Sequence, residues 1–374
     1  MTKLACGIMG LFMVLVLVLS ACAAPQSPAP APALAPTPAT APAAPVASTG
    51  TAQQQVIEAA KKEGEVVIWS NTASDLDVIK RQLNEKYPFL KLTIWDARSA
   101  EITVKLAEEA KAGKFTPDLI STSINDTVDL MNLGILQDYS WPAATQKWTD
   151  QPKHNFYRSY ITNLKVMAYN TNLLPKADAP KTWDDLKDPR WRGKAMISSS
   201  GDVNPLFMAL IWGVGGKLNW DKSETYWRTV IQNSRPLVQR GYPIELIAAG
   251  EAALFISAAS ITTQIMIDRG APIDYAPVSP VMSTPFSISV LKNNPHPNAT
   301  RLFLENLTSP EGLLVWSEAF RSLVFDAEVA KRSRIHKIVA DRKVESILIP
   351  VEAMTTENLR RSASFWQKEL GVRG

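Results

Sequence analysis

From Glu65 to Leu133 the chain alternates between two hydrophobic periodicities, and no other feature limits its fold as sharply. "EVVIWS" (Glu65–Ser70), "LKLTIW" (Leu90–Trp95) and "PDLIST" (Pro117–Thr122) are short apolar runs of strand length. Leu76, Ile79, Leu83 and Tyr87 recur at helical spacing, as do Ile102, Leu106 and Ala110 within a helix predicted over Ala100–Ala112. A further helix is predicted from Asn125 to Leu133, and a short charged one, Val56–Glu63, precedes the first strand. Strand–helix–strand alternation of this kind predicts a mainly parallel sheet covered by helices. In such sheets the ligand lies outside the carboxyl ends of the strands.

The second half changes pattern. Asn163–Thr171 reads as a strand with a polar end, Ala195–Ile197 as a buried strand, and Asn204–Trp212 and Trp220–Ile231 as helices. Ala253–Ile256 reads as a buried strand that runs into a helix from Ile261, and Pro285–Asn293 as a further strand followed by helices. The expectation is an α/β chain of two lobes, each a mainly parallel sheet flanked by helices, the second lobe inserted in the first. Residues 51–165 plus 286–325 would form lobe 1, residues 166–285 lobe 2, and residues 326–374 C-terminal helices packing on the lobes. Crossovers are expected near Val166–Tyr169 and Ser287–Leu291.

The N-terminus carries one positive charge, Lys3, then an apolar run from Ile8 to Leu19 and "LSAC" at Leu19–Cys22. That run is too short to span a membrane, which takes about 20 apolar residues, and fits a secretory signal. "LSAC" resembles the lipobox of bacterial lipoproteins. The resemblance implies a signal peptide over residues 1–21 and a lipid on Cys22 that anchors the chain to the bilayer. From residue 22 to residue 50 the sequence is dominated by Ala, Pro, Ser and Thr, and no charge appears between Lys3 and Glu58. Such a segment buries too little apolar surface to offset its conformational entropy and is expected to act as an extended spacer.

Cys6 falls within the signal, so beyond Cys22 the chain has no thiol for a disulfide, a nucleophile or a metal. His154, His296 and His336 are its only imidazoles. Lys and Arg total 40 against 36 Asp and Glu, a balance that argues against nucleic acid as a partner.

Three later stretches carry a family resemblance. "AYNTNLLPKADAPKTWDDLKDPRWRGKAMIS" (168–198), "ELIAAGEAALF" (245–255) and "VLKNNPHPNATRLFLENLTSPEG" (290–312) resemble the substrate-binding proteins of ABC importers, in the group that contains the bacterial ferric-iron-binding proteins. The resemblance implies a two-lobed, type II periplasmic-binding fold that closes by hinge motion around a small solute and passes it to a membrane permease. It also implies a monomer on the outer face of a cell membrane, without a cofactor.

Ferric members of the group hold iron with adjacent tyrosines, often aided by a histidine and a glutamate, since hard Fe(III) favours anionic oxygen. Here the histidine position falls at Ala73, the glutamate position at Ser123 and the tyrosine pair at Ala259 and Ser260. No tyrosine lies between Tyr242 and Tyr275. Iron would therefore need other ligands, with Tyr157 and Tyr160 as candidates.

The loops expected at the cleft instead carry hydroxyls: Ser70, Asn71 and Thr72; Ser121, Thr122 and Ser123; Ser198, Ser199, Ser200 and Gly201; Ser257, Ala259 and Ser260. Each group precedes a helix, whose first amides are unpaired and carry the positive end of the dipole. With Arg98 as a bidentate charge, these groups would suit a phosphonate, phosphate ester or carboxylate. The plainer role for each is helix capping. Trp69, Trp95 and Trp212 read as core, and Asp202 as a cap or an amine contact. A lipid-anchored hydrolase would need a nucleophile motif, and "SSSGD" does not supply Gly-x-Ser-x-Gly.

Overall fold

The computed structural model describes residues 49–71, 76–148, 151–198, 204–234, 237–239 and 244–371. Residues 1–48, which hold Cys22, the signal and most of the expected spacer, lie outside the described residues, as do Thr72, Ala73, Ser199, Ser200, Gly201 and Asp202; Thr49 and Gly50, expected in the spacer, instead open the first helix.

The chain opens with α1 (Thr49–Glu63), β1 (Glu65–Ser70), α2 (Leu76–Lys86), β2 (Lys91–Asp96), α3 (Ser99–Ala112), β3 (Leu119–Ser123) and α4 (Ile124–Asn132). A short β4 (Lys153–His154) leads into the long β5 (Tyr157–Asn170). Next come β6 (Ala195–Ser198), α5 (Asn204–Ile211), α6 (Trp220–Ser234), β7 (Leu237–Gln239), α7 (Ile244–Ala248), β8 (Leu254–Ala259), α8 (Ser260–Asp268) and β9 (Ile273–Tyr275). The second long strand, β10 (Val281–Val290), is followed by α9 (Pro297–Leu307), α10 (Pro310–Phe320), β11 (Leu323–Val324), α11 (Ala327–Arg332), α12 (Arg334–Asp341), β12 (Ser346–Leu348) and α13 (Thr356–Leu370).

These strands join one hydrogen-bonded network whose main path is β2-β1-β3-β10-β5-β8-β6-β7. Its two halves repeat one pattern. In the first, β2, β1 and β3 are parallel and β10 runs antiparallel to β3. In the second, β7, β6 and β8 are parallel and β5 runs antiparallel to β8. The long strands β5 and β10 pair with each other from Lys165/Met282 to Arg158/Ile288 and so join the halves. The expected α/β architecture of two lobes is present.

Each lobe has apolar cores on both sheet faces, which is why its strands read as near-continuous apolar runs. In lobe 1, Val66, Ile68, Leu83 and Leu119 pack with Phe303 and Trp316 of α9 and α10, and Ile102, Leu106 and Ile120 form the opposite layer. In lobe 2, Ile197, Phe207, Trp227 and Ile256 pack with Phe365 and Trp366 of α13. Met196, Phe255 and Ala258 form the other layer with Ile338 and Val339 of α12. The chain after β10 thus serves both lobes. Trp69 is buried and meets Trp95 edge to face at 4.7 Å, and half-buried Trp212 meets Tyr226 at 4.9 Å, so all three join aromatic packing.

Both long strands begin earlier than the apolar pattern indicates. Polar residues within these strands are nonetheless buried, because their hydroxyls satisfy one another across the pair: Ser159 with Ser287 at 2.7 Å, and Thr162 with Ser283 at 2.6 Å. Pro285 is tolerated inside β10 beside an irregularity in register between Phe286 and Ser287.

His336 gives the fold a pH dependence. Its Nε2 accepts the Val324 N–H at 2.8 Å, and burial lowers its pKa below the ordinary 6.5. The folded state therefore favours the neutral ring. This contribution is present above pH 6.5 and is lost as pH falls through the lowered folded value. Urea midpoints should drop between pH ~7 and ~5, before the carboxylates titrate, and the slope should flatten in His336→Gln. An equal slope in that variant would assign the effect elsewhere.

Candidate functional site

Register places the candidate residues. In lobe 1, Ser123 ends β3 opposite Phe286 of β10, which itself lies opposite Ile161 of β5. In lobe 2, Ala259 ends β8 opposite Lys165 of β5. The two carboxyl ends therefore run toward each other and stop four residues apart along β5, at Ile161 and Lys165. That span is about 13 Å at ordinary strand rise. Each strand passes into its helix with no intervening loop, β3 into α4 and β8 into α8.

In lobe 1 most hydroxyls serve the protein. Ser121 is fully buried, with its Oγ 2.8 Å from the Tyr160 hydroxyl. Thr122 Oγ1 lies 3.0 Å from Thr127 Oγ1, and Thr127 donates to the Ser123 carbonyl. Ser123 caps α4: its Oγ accepts the Asp126 N–H at 3.5 Å and donates to Asp126 Oδ2 at 2.6 Å. Asn71, just past the buried Ser70, sends its side-chain amide toward the same oxygen at 3.5 Å. A carboxylate thus sits at the positive end of α4. Nearby Asp129 is held above the usual carboxylate range by burial and by Asp126. Arg98 is exposed, with extended backbone ahead of α3. Tyr157 and Tyr160 are buried in the two lobe cores.

Lobe 2 differs. Ser260 is committed: its Oγ accepts the Leu164 N–H at 3.0 Å and donates to Asn163 Oδ1 at 2.8 Å. Asn163 Oδ1 also accepts the Ile261 N–H at 3.3 Å, so β5 supplies the cap of α8. The neighbouring Tyr275 hydroxyl donates within the same corner, to the Ser260 carbonyl or to Gln264, and burial raises its pKa strongly. Ala259 offers no side-chain cap.

Ser257 stands apart. It is 2 % exposed, and its Oγ has no hydrogen-bond partner among the described residues. Pairing slips here: Phe255 lies opposite Ala168 but Ala258 opposite Val166, so Ile256 and Ser257 share one extra residue. Such bulges re-aim side chains and are frequent beside functional sites. β6 flanks β8 on its other side, ending at Ser198. Lys165, half-buried on β5, was not singled out from the sequence because it lies within a strand-like run. Its backbone lies opposite Ala259, at the end of β8.

The profile of the family described as bacterial extracellular solute-binding protein matches residues 78–337, well over half of the chain. The chain belongs to that family. Members of the family, like the structures below, are binding proteins rather than enzymes, and the family pairs a small solute with an ABC permease. No curated protein sequence matches this chain. Among solved structures, this family member is similar to the periplasmic binding protein P5PA, with TM-score 0.65, 18% identity, and coverage of 82% of this chain and 99% of that one. It is also similar to the ferric binding protein from Campylobacter jejuni, with TM-score 0.64, 17% identity and coverage of 81% and 99%. A third is AfuA from Actinobacillus pleuropneumoniae with exogenous fructose-6-phosphate bound, with TM-score 0.62, 17% identity and coverage of 83% and 99%. The fold is thus that of the type II periplasmic binding proteins.

Proposed function

We propose that this solute-binding protein captures a small polar organic solute bearing a phosphonate, phosphate ester or carboxylate, and delivers it to its ABC permease. A lipid on Cys22 would hold it to the outer face of the cell membrane, with residues 22–48 as spacer.

Ser257 carries the reading. A buried hydroxyl without a protein partner costs free energy unless something else bonds it. This one lies at the lobe 2 side of the place where two strand ends converge. Lys165 beside Ala259 favours negative charge there. Lobe 1 answers with the opposite sign: Asp126 fills the position an anion would take on α4, with Asn71 beside it. The anionic group is therefore assigned to lobe 2, and a hydroxyl or ammonium donor of the solute to lobe 1.

The test is a thermal-shift screen of the protein against phosphonates, phosphorylated sugars, dicarboxylates, polyamines and ferric citrate. A solute at 100 times its dissociation constant adds about 2.7 kcal/mol. Ser257→Ala should weaken binding of the responding anion by about tenfold, roughly 1.4 kcal/mol. Stabilisation by polyamines alone, or by ferric ion alone with a phenolate colour, would refute the anion assignment. Turnover of the responding solute would move the protein to the enzymes.

A further inference from the structure

The helix that faces the candidate site at one end is tied to the other lobe at its far end. α8 starts at Ser260 and closes at Asp268. Asp268 accepts both terminal nitrogens of Arg334, Nη1 to Oδ1 at 3.2 Å and Nη2 to Oδ2 at 2.9 Å. Arg321, at the end of α10, adds a second cation, with its Nε 3.5 Å from Asp268. Arg334 also reaches back to lobe 1, since its Nε lies 3.5 Å from Glu318 Oε2 and its backbone N–H donates to Glu318 Oε1 at 2.7 Å. Glu318 belongs to α10, whose Trp316 and Phe320 lie in the lobe 1 core, whereas Met266 and Ile267 of α8 pack on lobe 2.

We infer that Arg334 is an interlobe clasp, coupling the solute-facing helix of lobe 2 to α10 of lobe 1 and setting the balance between conformers with the lobes together and apart. The inference rests on the capture role proposed above, which requires lobe motion. An isolated exposed ion pair adds little. This one has the features that raise its weight: a two-pronged guanidinium–carboxylate contact, a second carboxylate and a fixed base. The base is Ser333, whose Oγ lies 2.9 Å from Ser317 Oγ and donates to Glu318 at 3.2 Å. The Arg334 side chain is 48% exposed and that of Asp268 25%, so water and salt can reach the clasp, as a reversible contact requires. Between the two ends of α8 lies a rigid helix of 9 residues, about 13 Å at ordinary rise. A pull on its first turn therefore reaches Asp268 without slack.

The test uses spin labels on the full chain with Cys6→Ser and Cys22→Ser, which removes the two native cysteines. Glu108→Cys on α3 and Thr225→Cys on α6 report the interlobe distance by pulsed EPR. Glu108→Cys with Arg81→Cys, both in lobe 1, serves as control. Without any solute, Arg334→Glu should change the ratio of near to far populations by about fivefold or more and leave the control distance unchanged. Arg334→Lys, which keeps charge but loses the fork, should fall between. If Arg334→Glu does not fold, Arg334→Gln takes its place, with a changed interlobe ratio and an unchanged control distance again expected. An unaltered interlobe distribution in a folded variant overturns the clasp. If the variants shift the populations but no solute shifts the wild type, the clasp stands and the capture reading fails.

Discussion

Asp118→Ala should destabilise the protein by about 3 kcal/mol, because it strands two backbone donors at roughly 1–3 kcal/mol each. Asp118 is fully buried behind β3, where its carboxylate accepts the Val67 N–H at 2.8 Å, the His296 N–H at 2.9 Å and a bond with His296 Nδ1 at 3.0 Å. One carboxylate thus fastens β1 to the start of α9. Burial raises its pKa, against the lowering pull of those same bonds. A raised acid value means that the folded state binds the proton more readily. The protonated form's stabilisation is present at low pH and is lost as pH rises through the folded value. Asp118→Asn, which keeps an acceptor and sheds the charge, should therefore cost less than Asp118→Ala at pH 7. Urea unfolding of both variants checks the order. Equal losses would show that charge, and not acceptance, holds the corner.

Lys165→Met should weaken binding of an anionic solute by about 30- to 100-fold, roughly 2–2.7 kcal/mol. A charged hydrogen bond in a partly desolvated site is worth that much, and methionine keeps the stem while deleting the ammonium. The measurement is titration calorimetry with whichever anion stabilises the protein. Rising salt should weaken the wild type more than the variant, because only the former has the cation to screen. Unchanged affinity in a variant of unchanged melting temperature would remove Lys165 from the site. Loss of affinity together with a large fall in melting temperature would instead mark it as a prop of the crossing strands.

The fold was legible where burial is simple. β1 matches Glu65–Ser70 in both reading and structure, because a strand covered on both faces leaves a plain apolar run. The early parts of β5 and β10 were missed where buried hydroxyls interrupt the apolar run, as at Ser159, Thr162 and Ser283, and the pairing that satisfies Ser159 spans 128 residues. The site was legible in outline only. Ser121 and Thr122 look like cleft donors in sequence, yet each finds a protein partner, Tyr160 and Thr127. Strand alternation alone would have warned that at least one of two adjacent residues points away from any given ligand. Asn163 as the cap of α8 could not be read locally, since it lies 97 residues from Ser260. The bulge that isolates Ser257 is likewise a property of the pairing with β5 and leaves no mark in "ALFISAAS".

The crossing strand β5 also has a consequence for how such a protein survives repeated use. Along one side it meets β4 at Tyr157 and Arg158, β11 at Ile161 and Thr162, the Ser260 hydroxyl at Leu164, and β8 from Lys165 to Tyr169. Along the other it meets β10 and then β9. Exposed strand edges are templates for pairing with other chains. A hinge built from an interior strand can bend by twisting while its backbone groups keep their neighbours, so flexing need not bare an adhesive edge. Many copies could then open and close in close company without knitting into aggregates.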